Sequence, residues 1–309
     1  MSRLEDLHLL PKVRDMLSFV YVEHARIDQH ERAIAIYDED GMTPLPISST
    51  AVLLLGPGTR VTHAAMVALA DNNALAVWVG EQGVRCYAHG LGGTRSSAAL
   101  LRQAALVSND ASRLEVVKRM YRLRFQEPVE EGLSIEQLRG LEGIRVRNTY
   151  ARMSRETGVE WSGRNYDRGE WDNTDPVNRA LSAANACLYG LCQAAILSIG
   201  MSPALGFIHT GKQQSFVYDI GDLYKTELTI PLAFQVAGEH PDDLERVCRL
   251  RCRDLFKEKK LLQRIVPDIR AVLGESEEDE EETFLPDEDA ALPTALWTPG
   301  ADRGPEEEA

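Results

Sequence analysis

The feature that most restricts the fold is a change of hydrophobic period near His89, Gly90, Gly92, Gly93 and Thr94. Before it, short apolar runs alternate with Gly, Pro and Asp turns, which is the pattern of strands. After it, apolar residues recur at helical spacing almost to Leu273. The chain therefore reads as α+β: a β-rich N-terminal domain over 1–92, a larger all-α domain over 93–273 and an acidic, disordered tail over 274–309. In the first part, Leu17–Val22, Ala33–Tyr37, Ala51–Leu55, Ala74–Val79 and Val84–Ala88 are the expected strands of a small sandwich or packed sheet, a block suited to dimerisation. Val61–Ala70 is one short helix. The Gly-rich stretch reads as a hinge, because the phosphate-cradling G-x-x-x-x-G-K-[ST] spacing is missing.

The net charge of −14 argues against DNA binding only until it is located. Of 48 acidic and 34 basic residues, 14 acidic residues and one basic residue, Arg303, fall after Leu273. The remaining 34 acidic and 33 basic residues nearly cancel. A neutral body still supports a basic face. Such a face is expected where Arg246, Arg249, Arg253, Lys257, Lys260 and Arg264 recur at steps of three and four, with Arg251 and Lys259 beside them. A solvated helix face is the ordinary meaning of such a run; a phosphate track is the functional one. No run of 18 apolar residues and no basic-then-apolar leader occurs, so a soluble, cytoplasmic protein without membrane association is expected. Cys86, Cys187, Cys192, Cys248 and Cys252 contain no C-x-x-C pair, which fits reduced thiols.

Chemistry concentrates in Pro203–Lys225, PALGFIHTGKQQSFVYDIGDLYK. His209 follows a short apolar approach, Thr210–Lys212 turns, and a helix begins near Ser215. Asp219 and Asp222 project from one side of that helix, beside the apolar stripe of Val217, Ile220 and Tyr224. Carboxylates beside a core face need neutralising. A divalent cation does this, and so does a pair of arginines. A third acid, Glu142, lies on a helix opened by the Ser134/Gln137 capping box. It shares a stripe with Ile135, Leu138, Arg145 and Thr149. Gly140 and Gly143 flank it, which predicts close approach to the backbone; an ordinary pair with Arg139 or Arg145 is the alternative.

WSGRNYDRGEW, residues 161–171, interleaves Arg164, Tyr166 and Arg168 with tryptophans, a composition suited to stacking on splayed bases or to pinning a loop. Arg60 on a Pro-Gly turn and Arg85 on the last expected strand face the same choice between phosphate and solvent. Asp175-Pro176 opens a long Ala-rich helix that Gly200 closes.

QLRGLEGIRVRNTYA and FIHTGKQQSFVYDIGDLYK resemble the CRISPR-associated adaptation integrase (CRISPR-associated protein one), subtype I-E in particular. LGPGTRVTHAA, VWVGEQGVRCYAHG and LRQAALVSNDASRLEVVKRMYRLRF extend the likeness through most of residues 10–270. The resemblance implies that Glu142, His209 and Asp222 hold a catalytic Mg²⁺ or Mn²⁺, with Asp219 as an accessory acid. Oxygen and imidazole donors suit those ions. It further implies double-stranded DNA partners, protospacer and CRISPR repeat, and two homodimers bridged by a dimer of the small CRISPR-associated protein two. The expected DNA contacts are Arg60, Arg85, Arg164, Tyr166, Tyr189, Lys212, Lys225, Arg246, Arg249, Arg253 and Lys257. Relatives cap the duplex with a tyrosine; alignment on Ile27-Asp28 places His24 there, with Tyr21 nearby. Strand transfer by a 3′-hydroxyl is the expected reaction. A metal nuclease on branched DNA and a non-enzymatic end-binding scaffold are the alternatives.

Overall fold

A computed structural model describes residues 18–31, 33–47, 50–83, 85–90, 97–125, 132–164 and 175–274. Its strands are β1 Ser18–Val22, β2 Arg26–His30, β3 Ala33–Asp38, β4 Gly41–Leu45, β5 Thr50–Leu55, β6 Arg60–Val61, β7 Leu75–Val79 and β8 Cys86–Gly90. Helix α1, His63–Asp71, precedes β7 and is capped by Thr62. The strands form two four-stranded sheets, ordered β1-β5-β7-β8 and β4-β3-β2-β6. β5, TAVLLL, is buried along its whole length and runs parallel to β1 and β7. Continuous apolarity of that kind marks a strand covered on both faces. One face meets the second sheet and α1 through Ile27, Ile34, Leu53, Leu55 and Leu69. On the other, Val52, Leu54, Leu75 and Val77 meet Ala194 and Leu197 of the helical half.

The helices are α2 Ala98–Ser108, α3 Asp110–Phe125, α4 Ile135–Thr157, α5 Pro176–Ser198, α6 Ser215–Lys225, α7 Thr229–Glu239, α8 Leu244–Glu258 and α9 Leu261–Leu273. The expected caps are in place. Ser134 and Gln137 form the capping box of α4, and the Asp175 side chain accepts from Asn178 N at the start of α5. α5 is the axis of the bundle, packing on α6, α7, α8 and α9. It is long and apolar enough to cross a membrane, yet 67% of its most apolar window is buried inside the protein. Its small residues permit close approach. A Cβ at Gly190 would lie 2.5 Å from the Gly83 carbonyl oxygen in the turn Glu81–Gly83. All five cysteines are free thiols and four are buried.

Three strands were not legible beforehand. β2 carries polar Asp28, Gln29 and His30, β4 is an exposed edge containing Pro44, and β6 is two residues long. The last strand starts at Cys86, so Arg85 precedes it, exposed and in left-handed backbone at φ 61°. The hinge's Gly92, Gly93 and Thr94 and the acidic tail from Glu275 onward lie outside the described residues.

The α5–turn contact predicts that Gly190→Val forces backbone against backbone, costing about 1–3 kcal/mol as overpacking does. Thermal denaturation of the full chain should show a lowered Tm, while a surface change such as Glu39→Gln leaves it in place.

Candidate active site

Asp219 sits on the second turn of α6 with its side chain fully buried. Its Oδ2 accepts from Phe207 N at 2.5 Å and Ile208 N at 3.1 Å. Its Oδ1 accepts from His209 N at 2.9 Å and meets His209 Nδ1 at 2.7 Å. One carboxylate thus folds the chain from Phe207 to His209 around itself. Glycine is required just before, since a Cβ at Gly206 would lie 2.3 Å from the His209 carbonyl oxygen. Because a carboxylate only accepts, Nδ1 carries the proton and Nε2 is left for the site. The hydrogen bond to Asp219 raises the imidazole pKa above its ordinary value, burial opposes it, and the charge of Asp222 adds to the rise. The acid expected in an accessory role at Asp219 is placed against His209 and its backbone. Three backbone amides and the imidazole already occupy its oxygens, so it is a positioning residue.

Asp222, one turn on, faces its own cation. Its Oδ1 is in ion contact with Lys225 Nζ but accepts no well-directed hydrogen bond. The Lys225 ammonium lies 4.9 Å from the Tyr189 ring centroid. Tyr189 packs against Gly221, where a Cβ would approach the ring to 2.8 Å. Burial lowers the Lys225 pKa, but Asp222 and Tyr189 outweigh it and keep the amine charged. Of the expected DNA contacts, Lys225 pairs with Asp222 and rests on the Tyr189 ring.

Glu142 is half-buried on α4 and accepts from Tyr121 Oη at 2.8 Å. Its other oxygen pairs with the Arg124 guanidinium, whose side chain is only 5% exposed. Arg124 comes from the end of α3 and was missed; the expected partners were Arg139 and Arg145. Arg145 instead lies over the Phe125 ring at 4.6 Å. The expected crowding at Gly140 and Gly143 is absent: nothing lies near a Cβ at the first, and only the Arg147 tip near the second. These glycines leave a bare strip beside Glu142, flanked by exposed Leu141 and Ile144.

Asp222 with its Lys225, and the Arg124 that pairs with Glu142, act on one common group. The charges of Asp222, Lys225, Arg124 and Arg164 all act on the Tyr150 hydroxyl of α4, whose ring stacks on Trp161 at 4.3 Å. Among the described residues, however, no three His, Cys, Asp or Glu gather closely enough to hold one ion. By donor type, two carboxylates and an imidazole fit Mg²⁺ or Mn²⁺. Asp222 Oδ1 is an acceptor of that kind, and the Lys225 ammonium occupies it. As arranged, each acid is compensated by a cation of the chain.

The remaining expected contacts separate into engaged and exposed groups. Arg164 binds Asn178 Oδ1 at 3.1 Å and Ser182 Oγ at 3.2 Å, pinning its loop to α5. Tyr166 and Arg168 lie outside the described residues. Tyr21 lies against the β5 side of its sheet and donates to Glu23 at 2.6 Å; Gly56 makes room for its hydroxyl. His24 is exposed and shares a hollow of about 350 Å³ with Arg26, Tyr37 and Arg60. Lys212 is exposed in a groove of about 420 Å³ with Tyr87, His89 and Tyr218. The basic row divides between two helices, with Arg246, Arg249, Arg253 and Lys257 on α8 and Arg264 on α9. Lys260 breaks it in left-handed backbone at φ 49°, between α8 and α9. Arg249 pairs with Glu81, Arg251 with Glu239, Arg253 with Asp254 and Arg264 with Glu227. Arg246 and Lys257 have no acidic partner among the described residues.

Comparison with known proteins agrees with this architecture. The Cas_Cas1 family model, CRISPR associated protein Cas1, matches residues 122–240. CRISPR-associated endonuclease Cas1 2 of Thermus thermophilus is 53% identical over 296 residues, covering 96% of this chain and 91% of that protein. CRISPR-associated endonuclease Cas1 of Geobacter sulfurreducens is 50% identical over 263 residues, 85% of this chain and 86% of the relative. The crystal structure of a TtCas1–DNA complex superposes with a TM-score of 0.77 at 54% identity, covering 85% of this chain and 99% of that one. This chain belongs to the Cas1 family of CRISPR-associated proteins.

Asp219→Asn should lower stability by about 1–3 kcal/mol, the scale for leaving buried amide donors badly paired. The part due to the raised His209 pKa is present below the ordinary imidazole value and vanishes as pH rises through the folded one. In EDTA, the stability gap to wild type therefore narrows from pH 6 toward pH 9, and the His209 NMR titration midpoint falls.

Proposed function

We propose that this Cas1 chain is a subtype I-E adaptation integrase: the 3′-hydroxyl of a short foreign duplex attacks a phosphodiester at the edge of the CRISPR repeat. The DNA in the TtCas1 complex and the name endonuclease in its relatives support DNA as substrate. The carrying observation is His209, whose ring Asp219 orients and which lies in the field of Asp222. In this reading Glu142, His209 and Asp222 hold Mg²⁺ or Mn²⁺. Such an ion polarises the scissile phosphate and stabilises charge on the attacking and leaving oxygens. Asp219 fixes the imidazole tautomer and directs Nε2 to the site. Exposed Lys212, Arg246 and Lys257 meet phosphates, and the hollow at His24, Arg26 and Arg60 receives the duplex. Water in place of the 3′-hydroxyl gives nuclease action with the same residues. The assembly is two homodimers bridged by the small CRISPR-associated protein two, working in the cytoplasm.

The test is joining of a labelled duplex to a repeat-bearing plasmid with the partner present. Glu142→Ala, His209→Ala and Asp222→Ala should each cut joined product roughly 100-fold or more, the scale for removing transition-state charge stabilisation. EDTA should do the same while duplex binding persists. Full joining in these variants would exclude the site, and cleavage without joining would favour a nuclease.

Binding itself should weaken steeply with salt through counterion release. Arg246→Ala and Lys257→Ala should each reduce the slope of log affinity against log salt by about one phosphate contact. Filter binding across a salt series measures this.

A further inference from the structure

The carboxylates assigned to the ion are both already occupied by positive charge from the chain. Lys225 faces Asp222 from one turn further along α6, with its side chain 20% exposed. Its ammonium rests on the Tyr189 ring. Arg124 reaches Glu142 from the neighbouring α3. Charges taken this far from water need near-complete hydrogen bonding to be stable. Here Lys225 Nζ holds Asp222 Oδ1 and Arg124 Nη1 holds one oxygen of Glu142, whose other oxygen accepts from Tyr121, while Arg124 Nε is buried with no hydrogen-bond partner among the described residues. Each of the two acids assigned to the ion thus already carries a cation of the chain where a divalent ion would have to sit, which makes exchange of one cation for another the requirement for metal entry.

We propose that Lys225 and Arg124 are resident counter-cations: they hold Asp222 and Glu142 until a divalent ion arrives, then give way to it. This deepens the metal reading above and rests on it. Both are positioning residues, acting through the carboxylates. Lys225 has four methylenes on which to withdraw, and the Arg124 guanidinium already rests 5.2 Å from the Phe125 ring centroid while it pairs with Glu142. Removing either positive charge should strengthen cation binding, because a like charge at contact opposes it.

Mn²⁺ binding to the full chain, followed by electron paramagnetic resonance, tests the proposal without reference to catalysis. Lys225→Met and Arg124→Met should bind Mn²⁺ about 10-fold or more tightly than wild type, and Lys225→Arg should restore the wild-type affinity. Equal or weaker binding in both Met variants would overturn the proposal, as would tightening in Lys225→Arg. Should the Met variants fail to fold, amine labelling of the wild type read by mass spectrometry decides. Lys225 should be protected in EDTA and reactive with Mn²⁺, and unchanged labelling would overturn the proposal. Mn²⁺ binding that Asp222→Asn abolishes but Lys225→Met leaves unaltered sinks the counter-cation role alone. Absence of Mn²⁺ binding in every form sinks the metal reading, and this inference with it.

Discussion

The site depends first on the enclosure of a single negative charge. Asp219 has no exposed side-chain surface, and a carboxylate in that position survives only when its lone pairs are filled. Here the filling groups are three consecutive amides, of Phe207, Ile208 and His209, and the ring of His209 itself. The loop is thus built around the charge, and the imidazole is aimed as a consequence. Gly206 and Ser215 sit close because the loop must close tightly before α6 begins.

A second level of organisation is the balance of charges between helices. Glu142 and Asp222 come from α4 and α6, and each meets a cation within the helical half. Tyr150 of α4 feels Asp222, Lys225 and Arg124 together, and its hydroxyl ionises less readily chiefly because burial disfavours the charged form. A phosphate entering here meets a region whose positive groups are partly spoken for by acids. The strength of its attraction is then set by how those internal pairs partition.

Legibility in the sequence followed the range of the interactions. The capping box at Ser134 and the Asp175-Pro176 start were readable because caps act over three or four residues. The stripe carrying Glu142 was readable because helical period is local. The strand Arg26–His30 was not, since its polar residues are tolerated only by pairing with β3 and β6. Arg124 escaped notice because its partner lies on another helix. The basic row misled for the same reason: Glu81, Glu227 and Glu239, which neutralise part of it, come from distant turns and helices. That Asp219 needed neutralising was readable, but not its partners, because a sequence does not display which amides will turn inward.

The boundary near residue 90, so clear in the hydrophobic period, is not a boundary in the packing. Ala194 and Leu197 close the face formed by Val52, Leu54, Leu75 and Val77. A chain severed after β8 would therefore present a wet, aliphatic slab instead of a finished module. Such a slab is a template for self-association. The two halves are obliged to mature together, and damage to the sheet will be felt in the helix that underlies the acids.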